Sequence, residues 1–410
     1  MYILLFVFVL TIIKIDKRSI SSFLLFVIII SFLSLILVAN NMIDINLSYL
    51  LYTVWVLISL LSIIMPWKRY TPVTNITVNN SKKLDKVAKL LSTYSIILTF
   101  YCLYIFSFVY SGVDDINKYK YQDGSADFLY SLGITMKPYM LVIISYPLSY
   151  VLIPLHIYYM SQNRIKMSIF CFIGSLLTIS YGLTYFSRFH IVHYILLYTV
   201  FFFFLRNTLS NKTKKKLTII VSTLGGLLIA AFLIISFSRF ESYIYTNQNE
   251  NSIVKNQTFY SLFDYFSMWW PQGQVLFDRY EFQSYFGMLS FQSISYFIKV
   301  VTFGIIPDFC SSLPSERVRI WNEYSGTFIG FPIYTLYDYG PFLAFIVYFI
   351  YYKIVRMKQP INKAINIKWL MYMSLFIQIP LFSTFYSVMD ILLIGILLMF
   401  PINRYLRTTH

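Results

Sequence analysis

Runs of about 20 apolar residues recur along most of this chain, and they set the tightest limit on its fold. Two of the clearest read MSIFCFIGSLLTISYGLTY and LTIIVSTLGGLLIAAFLIIS. In lipid a backbone segment must satisfy its own N–H and C=O groups, so such runs form helices. Charged residues make up 12% of the sequence and mean hydropathy is +0.65, whereas a soluble domain carries about 25% charged residues. The expected fold class is all-α and polytopic, with one integral membrane domain over 1–410. Eleven candidate helices cover about 1–13, 20–39, 47–66, 89–112, 138–160, 167–186, 190–205, 217–237, 327–352, 369–388 and 389–405. The first places its apolar stretch ahead of its positive charges, opposite to a signal peptide, and reads as a retained span. Pro332 and Pro341 predict a kinked or partly unwound ninth span.

Charge then orients the spans. One set of alternate loops, from KIDKR to RYLR, holds 23 of the 33 Lys and Arg residues but only two acids, Asp16 and Asp85. The positive-inside rule makes that set cytoplasmic, with the N-terminus outside and the C-terminus inside. The net charge of +16 is thereby explained without nucleic acid. Residues 285–306 would break this alternation as a span, so they read as an interfacial or re-entrant segment. The stretch 238–326 becomes one large external loop between spans eight and nine, rich in aromatic residues and carboxylates.

The tetrapeptide FSRF ends two outward-running spans, at 186–189 and 237–240. The external set of arginines is small: Arg188, Arg239, Arg279, Arg317 and Arg319. Two readings are open for Arg188 and Arg239. They snorkel to the interface, where a helix C-terminus also favours a cation, or they grip phosphate in bidentate forks. His190 and His193 follow at i, i+3 with no carboxylate or cysteine beside them, so no metal is expected. The three cysteines form no close pair, and no phosphate-binding loop or hydrolase motif occurs. Arg319 and Glu323 have the spacing of a helical ion pair. Asp338, just before Gly340 and Pro341, has three readings: a cap for the following helix, a partner for an arginine, or a proton acceptor.

The stretch containing Thr327, Tyr334, Tyr337, Asp338, Tyr339 and Gly340 resembles the aromatic–Asp–aromatic–Gly step before a span in Wzy-type O-antigen and capsular repeat-unit polymerases. GLTYFSRFHIVHYILLY is similar to that family's external Ser-Arg junction, matched here by Ser187 and Arg188. The resemblance implies a bacterial inner-membrane glycosyltransferase without cofactor or metal. Its substrates would be undecaprenyl-diphosphate-linked oligosaccharides, and its partners the bilayer and a chain-length regulator. Arg188 and Arg239 would clamp the leaving diphosphate. Asp338, Glu323 or Glu241 would serve as general base. Arg317, Arg319, His190 and Tyr337 would contact substrate. Trp269, Trp270 and Trp321 would stack on sugars, or else anchor the loop at the membrane surface. The alternatives are a flippase of lipid-linked oligosaccharide and an O-antigen-ligase-like enzyme. A flippase is expected to bury mid-span charges and show matching halves.

Overall fold

The computed structural model describes residues 16–38, 47–112, 136–184, 188–219, 222–223, 225–226, 252–280, 284–302, 304–308, 310, 330–384 and 389–407. The first expected span lies outside these residues, as does most of the eighth. Among the described residues, six helices are long and apolar enough to cross a membrane: Ile20–Val38, Leu47–Arg69, Ser81–Phe108, Ile165–Leu183, Phe189–Thr208 and Phe331–Met357. A shorter apolar stretch covers Ile367–Phe382. The protein is a helical membrane protein, and it divides into two compact units, each assembled from separate stretches of chain.

The first unit takes residues 1–71, 236–360 and 377–393. It contains α1 (Ile20–Val38) and α2 (Leu47–Ile64), followed by a 3-10 turn over Met65–Arg69. From the expected external loop come α9 (Gln257–Ser267), α10 (Trp269–Asp278) and α11 (Met288–Val301). α12 (Phe331–Met357) and the short α14 (Gln378–Phe382) complete it.

α9 lies antiparallel along α1. The Ile253 N–H reaches the Leu37 carbonyl at 3.2 Å near one end of α1, while Ser31 Oγ donates to the Phe266 carbonyl nearer its middle. Six residues of α1 separate these contacts, a descent of about 9 Å along the helix. A helix from the expected external loop thus packs along α1. Within lipid, helices associate through close packing and cross-helix hydrogen bonds rather than through hydrophobic exclusion. The Trp269 indole accordingly donates to Ser31 Oγ at 2.7 Å, and the Tyr52 hydroxyl donates to the Trp270 carbonyl at 3.0 Å.

α12 is not one straight rod. Gly340 has φ 70° and ψ 173°, a region essentially restricted to glycine, and Pro341 follows it. The Phe331 and Tyr348 rings lie 6.0 Å apart, and the Thr335 and Tyr348 hydroxyls touch. In a straight helix, 17 residues would span about 25 Å. The chain therefore folds back at Gly340, and residues 331–339 pack against 341–357. Trp55 spans the fold: its indole donates to the Pro332 carbonyl at 2.8 Å, and its ring meets Phe345 at 5.3 Å. The proline kink expected in the ninth span is a fold-back at Gly340, so Phe331–Met357, long and apolar enough by composition, is two helical arms and not one crossing rod.

The second unit takes residues 72–235, 361–376 and 394–410. Its helices are α3 (Ser81–Gly112), α4 (Met136–Ser145), α5 (Pro147–Ser161), α6 (Ile165–Ser175), α7 (Leu177–Leu183), α8 (Arg188–Leu205) and α13 (Ile367–Phe376). The greater part of α15 (Met389–Arg407) also belongs here. The expected fifth span is two helices meeting at Tyr146, and the sixth breaks at Leu176. Close approach is bought at Gly174, where an added Cβ would sit 3.1 Å from the Ser92 Cα of α3. Two short strands, β1 (Asn75–Thr77) and β2 (Ala364–Asn366), pair in parallel with Asn75 opposite Ala364.

Candidate functional site

Two places gather the residues that the sequence singled out, one in each unit. In the first unit the Gly340-Pro341 reversal comes first. Proline has no N–H and cannot approach the carbonyl four residues back, so the Tyr337 carbonyl is left without a helical partner. That carbonyl accepts the Tyr285 N–H at 3.0 Å, and the Asp338 carbonyl accepts the Gly287 N–H at 2.9 Å. The broken helix thus provides the acceptors that seat the entry to α11.

Asp338 completes the junction. It is fully buried. Its carboxylate accepts the Leu289 N–H at 2.8 Å, the Ser290 N–H at 3.0 Å and the Ser290 hydroxyl. Those amides belong to the first turn of α11, which lacks intrahelical partners. Asp338 is therefore a cap, but for a helix 48 residues upstream in the chain and not for the helix that follows it. Beneath the cap, Leu289, Cys310 and Tyr334 form a small apolar cluster with Tyr285 and Tyr337 against it. The Tyr337 hydroxyl donates to the Leu276 carbonyl at 2.8 Å, so this expected substrate contact ties α12 to α10.

The two tryptophans of WWPQGQ are 1% exposed each. Trp269 and Trp270 meet Phe32 edge-on at 5.7 and 5.3 Å, and Trp270 lies 4.8 Å from Tyr52. The expectation that they present faces to sugars, or lie at the membrane surface, is corrected: both are packing residues between helices. Gly273 makes the fit possible, since a Cβ there would lie 2.6 Å from the Tyr52 hydroxyl.

Sequence reading did not single out Asp264, on α9. Burial pushes its carboxyl up to about 6, with no charged neighbour among the described residues contributing. A carboxyl with such a value is suited to exchanging a proton near neutral pH. Nothing in the local sequence marks it, because desolvation arises only once the chain is packed.

In the second unit, Arg188 is the first residue of α8 and does not end the preceding helix, as the apolar pattern implied. α7 stops at Leu183, and residues 185–187 lie outside the described set. Two residues after Arg188, His190 packs edge-on against Tyr181 at 5.1 Å, and Tyr181 stacks on Tyr146 at 4.7 Å. His193 stacks on Tyr150 at 4.8 Å. An added Cβ at Gly182 would come within 2.5 Å of His190 Cβ, so small size there lets the imidazole enter the ring cluster.

Below this cluster the unit is held by hydroxyl and imidazole contacts. Ser149 pairs with Thr178 at 2.7 Å, Ser175 with Tyr194 at 2.7 Å, and His156 with Tyr198 at 2.9 Å and Ser168 at 2.8 Å. Arg164 forms a bidentate pair with Asp85 at 2.7 and 2.9 Å, and the Tyr159 hydroxyl joins it. Among the described residues no three of His, Cys, Asp and Glu converge as metal ligands would.

Arg239, Glu241, Arg317, Arg319, Trp321 and Glu323 lie outside the described residues. Of the expected site residues, Asp338, Tyr337, Trp269 and Trp270 belong to the first unit, and Arg188 and His190 to the second. No family model, curated protein or solved structure matches the chain.

Proposed function

We propose that this protein is a polysaccharide repeat-unit polymerase of the Wzy type. It would transfer a growing glycan from undecaprenyl diphosphate to a sugar hydroxyl of an incoming lipid-linked unit. In this reading the chain lies in a bacterial inner membrane with eleven spans, N-terminus outside and C-terminus cytoplasmic. Residues 238–326 belong to the external side, although α9 and α10 fold inward. The lipid's own diphosphate is the leaving group, so no nucleotide sugar, cofactor or metal is required.

The observation that carries the reading is Arg188 opening α8. Helix N-termini favour anions, and arginine pairs with phosphate in a fork, so a diphosphate would be met by both at this position. Tyr146, Tyr181 and His190, in the adjoining cluster, supply the aromatic character that sugar rings favour. Arg239, in the second FSRF, would provide the companion clamp. Asp338 already binds three donors, so the base role falls more naturally to Glu323 or Glu241.

Arg188→Ala and Arg239→Ala are expected to abolish polymer while membrane levels stay normal, with single lipid-linked repeats accumulating. Near-wild-type polymer in both variants would reject the diphosphate clamp. Long polymers left unattached would instead indicate a ligase. The buried Ser149–Thr178 and His156–Tyr198 contacts favour a second reading, a flippase with a polar route. Retention of lipid-linked units on the cytoplasmic face of a deletion strain would select it.

A further inference from the structure

The second arm of α12, after the break at Gly340, has a buried face and an exposed one. Ala344, Tyr348, Tyr351 and Val355 line the buried face, while Phe342, Ile346, Phe349 and Ile350 are exposed at helical spacing on the other. Lys353 and Arg356 continue that exposed face toward the end of the helix. The Lys353 ammonium lies 5.1 Å over the Phe349 ring, and Arg356 Nη1 donates to the Tyr352 hydroxyl at 3.0 Å. The end of α2 brings a third cation to them. The Trp67 indole donates to the Tyr351 hydroxyl at 2.9 Å and the Tyr70 hydroxyl to the Val355 carbonyl at 2.8 Å, which docks the 3-10 turn on the last turns of α12. Arg69, in that turn, reaches the Gln359 side chain at 3.5 Å.

Arg69, Lys353 and Arg356 are exposed, and among the described residues none of them forms an ion pair. The chain entering α1 adds one carboxylate here, Asp16, but with it two further cations, Lys17 and Arg18. Asp278 holds Ser48 in the first turn of α2, about 30 Å along that helix from Arg69, and the Gly340 break that carries Asp338 lies about 20 Å along α12 from Lys353. The α12 dipole favours cations at this end and places about half a negative charge there, which three full positive charges outweigh. A phosphate shared by them would be held by charge-assisted hydrogen bonds, with both guanidiniums offering bidentate forks.

We propose that Arg69, Lys353 and Arg356 form a binding site for a phosphate group, that of an anionic phospholipid headgroup. The exposed apolar face supports a lipid source, because it leads along α12 from Phe342 to the two cations, as acyl chains beneath a seated headgroup require. The rise from Phe342 to Lys353 is about 16 Å, close to the roughly 15 Å of one leaflet's hydrocarbon. The site lies at the Lys- and Arg-rich end of the first unit and is independent of the polymerase reading.

The test uses the full-length protein in a neutral detergent, with phosphatidylglycerol and phosphatidylcholine titrated separately and binding read by native mass spectrometry. Arg69→Gln/Lys353→Gln/Arg356→Gln is expected to lose phosphatidylglycerol affinity by about a hundredfold, at roughly fivefold per cation. Arg69→Gln alone, which leaves α12 untouched, is expected to lose about fivefold. Lys212→Gln/Lys214→Gln/Lys215→Gln removes the same charge from the second unit and is expected to lose less than about threefold. Equal losses in the two triple variants, no loss in Arg69→Gln, or equal affinity for both lipids would overturn the site. Displacement of bound phosphatidylglycerol by millimolar inorganic phosphate would overturn the lipid assignment in favour of free phosphate; retention of the lipid supports it.

Discussion

Replacing Asp338 by Asn tests whether that carboxylate is a structural clasp or a reagent. Asn is nearly isosteric but keeps only one acceptor, and its amide places donors against the Ser290 N–H or hydroxyl. One charge-assisted hydrogen bond is lost and a buried donor is left unpaired, a combined cost of about 3–5 kcal/mol. The damage is local, because the clasp holds the start of α11. Cys310 reports on it directly: it is fully buried, packs on Leu289, and its thiol reaches the Met288 carbonyl. In a Cys102→Ala/Cys171→Ala background, maleimide labelling of Cys310 is expected to quicken by about a hundredfold or more in Asp338→Asn, since local opening sets the rate. A labelling rate within about threefold of the parent, in a monodisperse protein, would refute the clasp. If polymer synthesis were also lost in that protein, Asp338 would be acting in the chemistry.

Three other perturbations separate packing from electrostatics. Gly340→Ala forces a side chain into a glycine-only conformation and is expected to cost about 1–3 kcal/mol, read as a lower thermal midpoint. Gly273→Ala drives a methyl into the Tyr52 hydroxyl and is expected to cost about 1–3 kcal/mol, with Tyr52→Phe restoring part of it in the double variant. Asp264 carries a pH signature: its folded value of about 6 exceeds the ordinary 3.8, so the folded state binds the proton more tightly. Stability should therefore fall by about 1–3 kcal/mol as pH rises through that interval and stay level above it. Asp264→Asn is expected to abolish that slope in thermal unfolding between pH 4 and pH 7.

Periodicity and hydropathy reveal helices but not their partners. The apolar runs of α1, α2, α3 and α8 are plain in the sequence, because a bilayer demands length and apolarity locally. The Gly340-Pro341 break is equally visible. Its outcome as a reversal is not, because the angle depends on Trp55 and Tyr348 receiving the folded-back arm. The Trp269-Trp270 pair looks like surface aromatic character, since nothing nearby shows that α1 and α2 wait more than 200 residues away in the chain. Arg188 was legible as a candidate cation. Its position at a helix start was hidden by the continuity of apolar residues across the junction.

The make-up of the first unit also has a bearing on synthesis. α1 and α2 leave the ribosome well ahead of α9, α10 and α12, against which they pack. At about 10 residues per second, roughly 20 to 30 seconds pass before those partners exist. Meanwhile Ser31, Tyr52 and Trp55 hold polar groups in lipid whose eventual acceptors and donors are unmade. The intervening second unit is nearly continuous over 72–235 and can assemble during that wait. These two helices are therefore the natural clients of an insertion chaperone, and truncation before residue 252 should leave them, not the middle of the chain, exposed to membrane proteases.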